Sequence, residues 1–312
     1  MSGPGPPNRS ALWQPLLTRL TEVVPQWGMW KSARSAFSGN GDIDSVAPVG
    51  DLPLIEAEFV RWAAEQGVEP VITCPHAEPF MYVLIAVDRD QRSMLELDVT
   101  LRKTFRGSTL FLPKDLLPLM VVDHDGVRRI RSGAEGVILL VHNGMRRGGG
   151  VDRIGLKRKQ IPELLTEDPI GVEAATGLFG RGASAAGEGA RSVMHGSWNR
   201  RAMMTVEMWA VLGALRELDV LRARARFRFL TKRRCPILNR VYADRRIPGD
   251  VEAWMRIVIG THTVYGWNEP GLDGASPPDQ AREGVENSRS VLSLHLETLQ
   301  PIESARAAAR NR

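Results

Sequence analysis

The chain has 312 residues, 43% of them hydrophobic and 25% charged, and 41 basic against 36 acidic side chains leave a formal charge of +5. That is the composition of a soluble globular protein with room for two domains; the mild basic excess favours acidic partners such as nucleotides and argues against an extended nucleic-acid surface. Two cysteines, Cys74 and Cys235, with no CxxC pair, argue against a disulfide framework or a zinc site, and no run of about 18 apolar residues is present to span a membrane. The opening MSGPGPPNRS lacks a basic stretch followed by an apolar one, so a cytoplasmic location is expected.

In chain order, residues 1–10 are rich in Pro, Gly and Ser and read as disordered. Residues 11–25 carry apolar side chains at helical spacing. WKSARSAFSGNGDIDSVAP reads as strand, Gly-rich turn, strand. Residues 51–67 form the clearest amphipathic helix, with Asp51 as N-cap, Pro53 in its first turn and Gly67 as C-cap. VEPVITCP, MYVLIAVD and SMLELDVTL read as strands, and the polar tip Arg89-Asp90-Gln91 joins the last two as an antiparallel hairpin. FRGSTLFLP and VRRIRS suggest short edge strands.

From residue 133 the pattern changes. GAEGVILLVHNGM is a helix candidate, and Gly148-Gly149-Gly150 reads as a hinge. Helices are expected over 156–166, 184–195, 201–230 and 249–265, and the tail from 268 is polar. The expected organisation is therefore an α/β domain over 11–147, a helical domain over 151–267 and a largely flexible tail over 268–312. The class is α+β: a mixed sheet with flanking helices, followed by an α-helical C-terminal domain.

The sharpest chemical feature is Gly39-Asn40-Gly41-Asp42-Ile43-Asp44. On a strand, Asp42 and Asp44 share one face and Ile43 is buried on the other. Two carboxylates side by side repel unless something neutralises them, and a divalent cation with hard oxygen preference, Mg²⁺ or Mn²⁺, does so. Gly41 and Gly39 let the backbone turn tightly and let a phosphate approach closely. The alternative is a polar loop with solvated aspartates. Three companions favour the metal reading. Ser32 lies ten residues before Asp42; Asp98 places a further carboxylate in the apolar strand SMLELDVTL; and a long amphipathic helix follows the DID strand. Glu96 shares a strand face with Asp98 and is the substitute candidate, though an exposed strand charge is the favoured reading for it.

Together these residues resemble the nucleotidyltransferase superfamily, the polymerase-beta-like fold. Its pattern is a Gly-Ser pair, a spacer of about ten residues, an Asp-apolar-Asp pair and a third carboxylate on a later strand. The nearest likeness is to bacterial nucleotidyltransferase-like proteins of the GDID type, in which an apolar-Asp-apolar strand is followed by an aromatic-Arg-Gly segment, here within LELDVTLRKTFRG. The resemblance spans roughly residues 28–145. It implies a nucleotidyltransferase-like mixed sheet, with Asp42 and Asp44 holding the metal that carries the NTP phosphates. Asp98, with both, would hold the metal that activates an acceptor hydroxyl. Ser32 would hydrogen-bond a β- or γ-phosphate oxygen. One departure stands out: Lys31-Ser32 replaces Gly-Ser, so Lys31 either supplies a phosphate-binding charge or blocks the approach. The resemblance also makes Lys157 and Lys159 candidates for the triphosphate, against a solvated helix face.

The resulting expectation is Mg²⁺-dependent transfer of an NMP from an NTP, ATP first, to a hydroxyl acceptor that the sequence does not identify. The rivals are a non-catalytic nucleotide-binding relative, an RNA- or tRNA-directed enzyme using the arginines of 222–234, and a chance DID in an unrelated domain.

Overall fold

The computed structural model describes residues 9–31, 42–68, 71–75, 80–88, 93–144, 160–217, 239–242 and 294–295. In chain order the elements are α1 (Arg9–Val23), β1 (Gly28–Lys31), β2 (Ile43–Val46), α2 (Leu52–Gln66), β3 (Val71–Pro75), β4 (Met81–Asp88), β5 (Ser93–Thr100), β6 (Lys103–Phe105), β7 (Ser108–Phe111), β8 (Met120–Val122), β9 (Arg128–Ile130), α3 (Ser132–Leu139), α4 (Gln160–Glu167), α5 (Pro169–Thr176), α6 (Ala183–Met194), α7 (Arg200–Glu217), β10 (Asn239–Tyr242) and β11 (Leu294–His295). This is an α+β chain in which strands give way to a run of helices, as the residue pattern implies. No helix among the described residues is long and apolar enough to cross a membrane. The residues expected to form a helix over 249–265 lie outside the described set.

The chain groups into two compact units. The first takes residues up to Pro25, Arg34–Leu101 and the chain from Val220. Its sheet is mixed: β2 runs parallel to β5, while β4 pairs antiparallel with both β5 and β3. The β4–β5 hairpin is the one expected from the sequence, and β10 extends the sheet antiparallel to β3.

α1 and α2 pack on each other through aromatic side chains. Trp13 and Trp62 stack at 4.8 Å between centroids, Phe59 lies 5.2 Å from Trp62, and the Trp62 Nε1 donates to the Leu12 carbonyl at 2.9 Å. α2 begins with Pro in its first turn and ends on Gly67 in the left-handed conformation at φ 67°, where glycine carries no Cβ penalty. Asp51 occupies the N-cap position but makes no side-chain cap bond, because a 3₁₀ turn over Val49–Asp51 leads directly into the helix.

The Tyr82 hydroxyl donates to the buried Glu56 of α2 at 2.6 Å, which fixes the sheet face that meets the helices. By strand alternation and register that face carries Tyr82, Leu84, Leu97, Val99 and Ile43, and the opposite face carries Asp44, Glu96 and Asp98.

The second unit takes Gln26–Ala33 and Arg102–Asp219. β1 runs parallel to β9, and β9 pairs antiparallel with β8. β6 and β7 form a tight hairpin whose two turn residues, Arg106 and Gly107, both have positive φ, at 51° and 96°. That is a type I′ geometry, which matches the twist of the flanking strands. The aromatic-Arg-Gly segment Phe105-Arg106-Gly107 therefore has a backbone reason to exist.

α3 to α7 follow. Asp168 is the N-cap of α5, accepting from the Gly171 N–H at 3.0 Å, and its carboxylate also takes the Gly133 N–H at 3.2 Å and two bonds from Arg131. One side chain thus ties the start of α5 to the start of α3.

Candidate metal centre

The centre grows out of strand register. Asp44 on β2 lies directly opposite Asp98 on β5 in the parallel ladder, and Ile43 lies opposite Leu97. Ile43 and Leu97 are fully buried on the helix-facing side, so the two aspartates are driven onto the other face together. The Ser45 hydroxyl donates to the Asp98 carbonyl at 2.8 Å and clamps the two strands at this level. Asp42 sits one residue before the strand rather than within it, at the more open end of the group. Carboxylate oxygens of Asp42, Asp44 and Asp98 all lie within 4.8 Å of one another.

The electrostatics are unfavourable as they stand. Asp44 and Asp98 are only 4% and 6% exposed. Burial, then the negative charges of Glu96, Asp44 and Asp42, push the Asp98 carboxyl up to about 9. Its Oδ1 is buried and has no hydrogen-bond partner. A buried acceptor without a donor costs about 1–3 kcal/mol, and a cation among the three carboxylates would remove that cost and the repulsion at once. The donor set is carboxylate oxygen throughout, which suits Mg²⁺ or Mn²⁺ and not a thiophilic metal. The residues present therefore fit a hard divalent cation.

Glu96 departs from the sequence reading. It is not an exposed strand charge: it is half-buried and hydrogen-bonds the Asp98 side chain. The i, i+2 spacing on β5 was the available signal, since it puts Glu96 and Asp98 on one face. What the sequence lacked was the register that brings β2 alongside.

Lys31 is the last residue of β1, in the second unit, with its Nζ 5.7 Å from the Trp30 ring centroid. Ser32, Gly41, Lys157 and Lys159 lie outside the described residues, as do the glycines at 148–150 and the arginines of 222–234.

A second acidic group, Asp123-His124-Asp125, also brings ligand-type atoms within 4.8 Å of one another. Its geometry belongs to the β8–β9 turn. Asp123 Oδ1 accepts from the Asp125 and Val127 N–H groups, and Oδ2 lies 3.0 Å from Arg129 Nε. These contacts close a loop; the Asp123 Oδ2, like the Asp98 Oδ1, is buried without a hydrogen bond, but the Arg129 guanidinium balances its charge.

Comparison of the chain with protein-family models, with curated proteins and with solved structures finds no match. The functional reading therefore rests on the residues themselves.

Proposed function

We propose that the Asp42–Asp44–Asp98 centre holds Mg²⁺ or Mn²⁺ and serves nucleotidyl transfer, moving an NMP from an NTP, ATP first, to a hydroxyl acceptor with release of pyrophosphate. The observation that carries the reading is the pairing of Asp44 with Asp98 across parallel strands, both buried, with the Asp98 Oδ1 left without a donor. The order of the parts supports it further. An Asp-Ile-Asp segment opens a short strand, a helix follows, and a third carboxylate arrives from a later strand, which is the pattern of the nucleotidyltransferase superfamily that the sequence resembles.

In this reading Asp42 and Asp44 bind the ion that carries the triphosphate, and Asp98 completes the set facing the acceptor. A bound divalent cation supplies charge neutralisation at the phosphates and lowers the pKa of an attached hydroxyl. The sheet does the rest. β2 and β5 hold Asp44 and Asp98 in fixed register, so these two need no reorganisation at the moment of transfer. Glu96, bonded to Asp98, orients it. At the reacting phosphorus, the acceptor hydroxyl gives up its proton to solvent, its oxygen forms a bond to the α-phosphorus, the bond from that phosphorus to the bridging oxygen breaks, and pyrophosphate leaves with that electron pair.

A non-catalytic nucleotide-binding role is the second reading, and Lys31 in place of the family's glycine is what favours it. The test is pyrophosphate release from each of the four NTPs with Mg²⁺, against a panel of hydroxyl acceptors, for the wild type, Asp44→Asn and Lys31→Gly. Release lost in Asp44→Asn supports transfer. Release absent from the wild type and gained in Lys31→Gly supports the non-catalytic reading.

A further inference from the structure

The second unit contains a cleft of about 270 Å³, walled by β7, by the 3₁₀ segment Gly177–Gly182 and by α7. Its chemistry differs from that of the carboxylate centre. The floor is apolar, with Leu110, Phe105 and Val206 all buried. Trp209 forms one wall, and the Arg181 guanidinium lies over its ring at 5.3 Å from the centroid. Arg216, the penultimate residue of α7, supplies a second guanidinium.

The charges around the cleft leave these two arginines over. α7 carries two acidic side chains near it, and both are engaged. Glu207 pairs with Arg106 at 2.6 Å. Glu217 pairs with Arg102 at 3.2 Å and also accepts from the Ser108 hydroxyl and from the Thr109 N–H and hydroxyl. Arg181 and Arg216 have no ion-pair partner among the described residues. Gly180, at φ 51° and ψ −118°, reverses the chain between Phe179 and Arg181 in a conformation that only glycine adopts readily, and so places both at the cleft.

An apolar floor, an indole wall and two guanidiniums at the rim are complementary to a small planar molecule with one anionic end. We propose that this cleft binds a small aromatic carboxylate, its ring lying between Trp209 and the apolar floor and its carboxylate taken by Arg181 and Arg216. The proposal is independent of the carboxylate centre and of nucleotidyl transfer.

The test is calorimetric titration of the full chain with benzoate, 1-naphthoate and indole-3-carboxylate, with benzamide as the uncharged counterpart and inorganic phosphate as the bare anion. Saturable binding of an aromatic acid is expected, weakened by about ten-fold or more in Arg181→Gln and in Arg216→Gln, the loss expected for a charge-assisted hydrogen bond. Arg191→Gln, on α6 and away from the cleft, should leave it unchanged. Benzamide and phosphate should each bind far more weakly. No saturable binding of any of the acids overturns the proposal. So does equal binding of acid and amide, tighter binding of phosphate alone, or wild-type affinity in both arginine variants.

Discussion

Asp44 and Asp98 face each other across two parallel strands, each almost wholly buried. Like charges at a directly opposed pair of positions destabilise a sheet, so a fold that keeps them spends stability on the arrangement.

That cost predicts the behaviour of Asp98→Asn. Asparagine is neutral without the proton that the buried Asp98 must take up on folding, so the variant should stabilise the metal-free protein at pH 7. A rise in thermal midpoint of about 2–4 °C is expected, the shift that about 1 kcal/mol gives in a protein of this size. The same variant should lose any midpoint increase caused by Mg²⁺. A lower midpoint in EDTA would mean that the Asp98 carboxyl makes a stabilising bond that asparagine does not replace.

Proton release gives a second prediction. The Asp98 carboxyl is raised to about 9, so at pH 7 it carries a proton in the metal-free state. A folded pKa above the unfolded value of 3.8 contributes stability that is fully present below pH 3.8 and is lost as pH rises through about 9. The metal-free protein should therefore weaken over that interval. Cation binding should expel about one proton at pH 7. Calorimetry of Mn²⁺ binding in buffers of different ionisation enthalpy measures this directly, and a heat independent of buffer counts against it.

Asp168 makes the opposite prediction. The hydrogen bonds from Arg131 come first among the causes that hold its carboxyl below the usual range, followed by those from Gly171 and Gly133, while burial opposes them. A depressed folded pKa contributes stability above the unfolded value of 3.8, lost as pH falls through the folded pKa. Asp168→Ala should cost about 1 kcal/mol at pH 7 for the lost cap, and Asp168→Asn less, since asparagine also caps. The ion pair with Arg131, partly open to solvent, adds modestly to this. Urea midpoints at pH 7 and at pH 2.5 should converge for wild type and Asp168→Ala in the acid condition.

Gly133→Ala should be more damaging than its chemistry suggests. A Cβ at that position would stand 1.9 Å from the Asp168 carbonyl oxygen, a backbone atom that cannot swing away. Overpacking of this kind costs about 1–3 kcal/mol. A midpoint equal to wild type would show that the α3–α5 contact yields easily.

Much of this was legible in the residues. Alternation gave β3, β4 and β5, the polar tip gave the hairpin, and Gly67 gave the end of α2, because each is a local property of the chain. The Asp-Ile-Asp spacing and the isolated Asp98 gave the three carboxylates that the fold brings within 4.8 Å of one another. The half-burial of Glu96 was not legible, since it depends on β2, more than fifty residues away in sequence, lying alongside β5. The Asp168 junction was hidden for the same reason: its partner Arg131 is distant in sequence. The aromatic-Arg-Gly segment looked like part of an edge strand because both positive-φ positions, one of them at an arginine, fall inside what reads as a continuous run.

Whether the three aspartates hold a divalent cation is decided by titrating Mn²⁺ into the full chain and following the free ion by electron paramagnetic resonance. Wild type, Asp44→Asn and Asp125→Asn are compared. Saturable binding to wild type is expected, lost in Asp44→Asn and retained at wild-type strength in Asp125→Asn. Binding that survives Asp44→Asn, or a wild type that takes up no Mn²⁺, would contradict it.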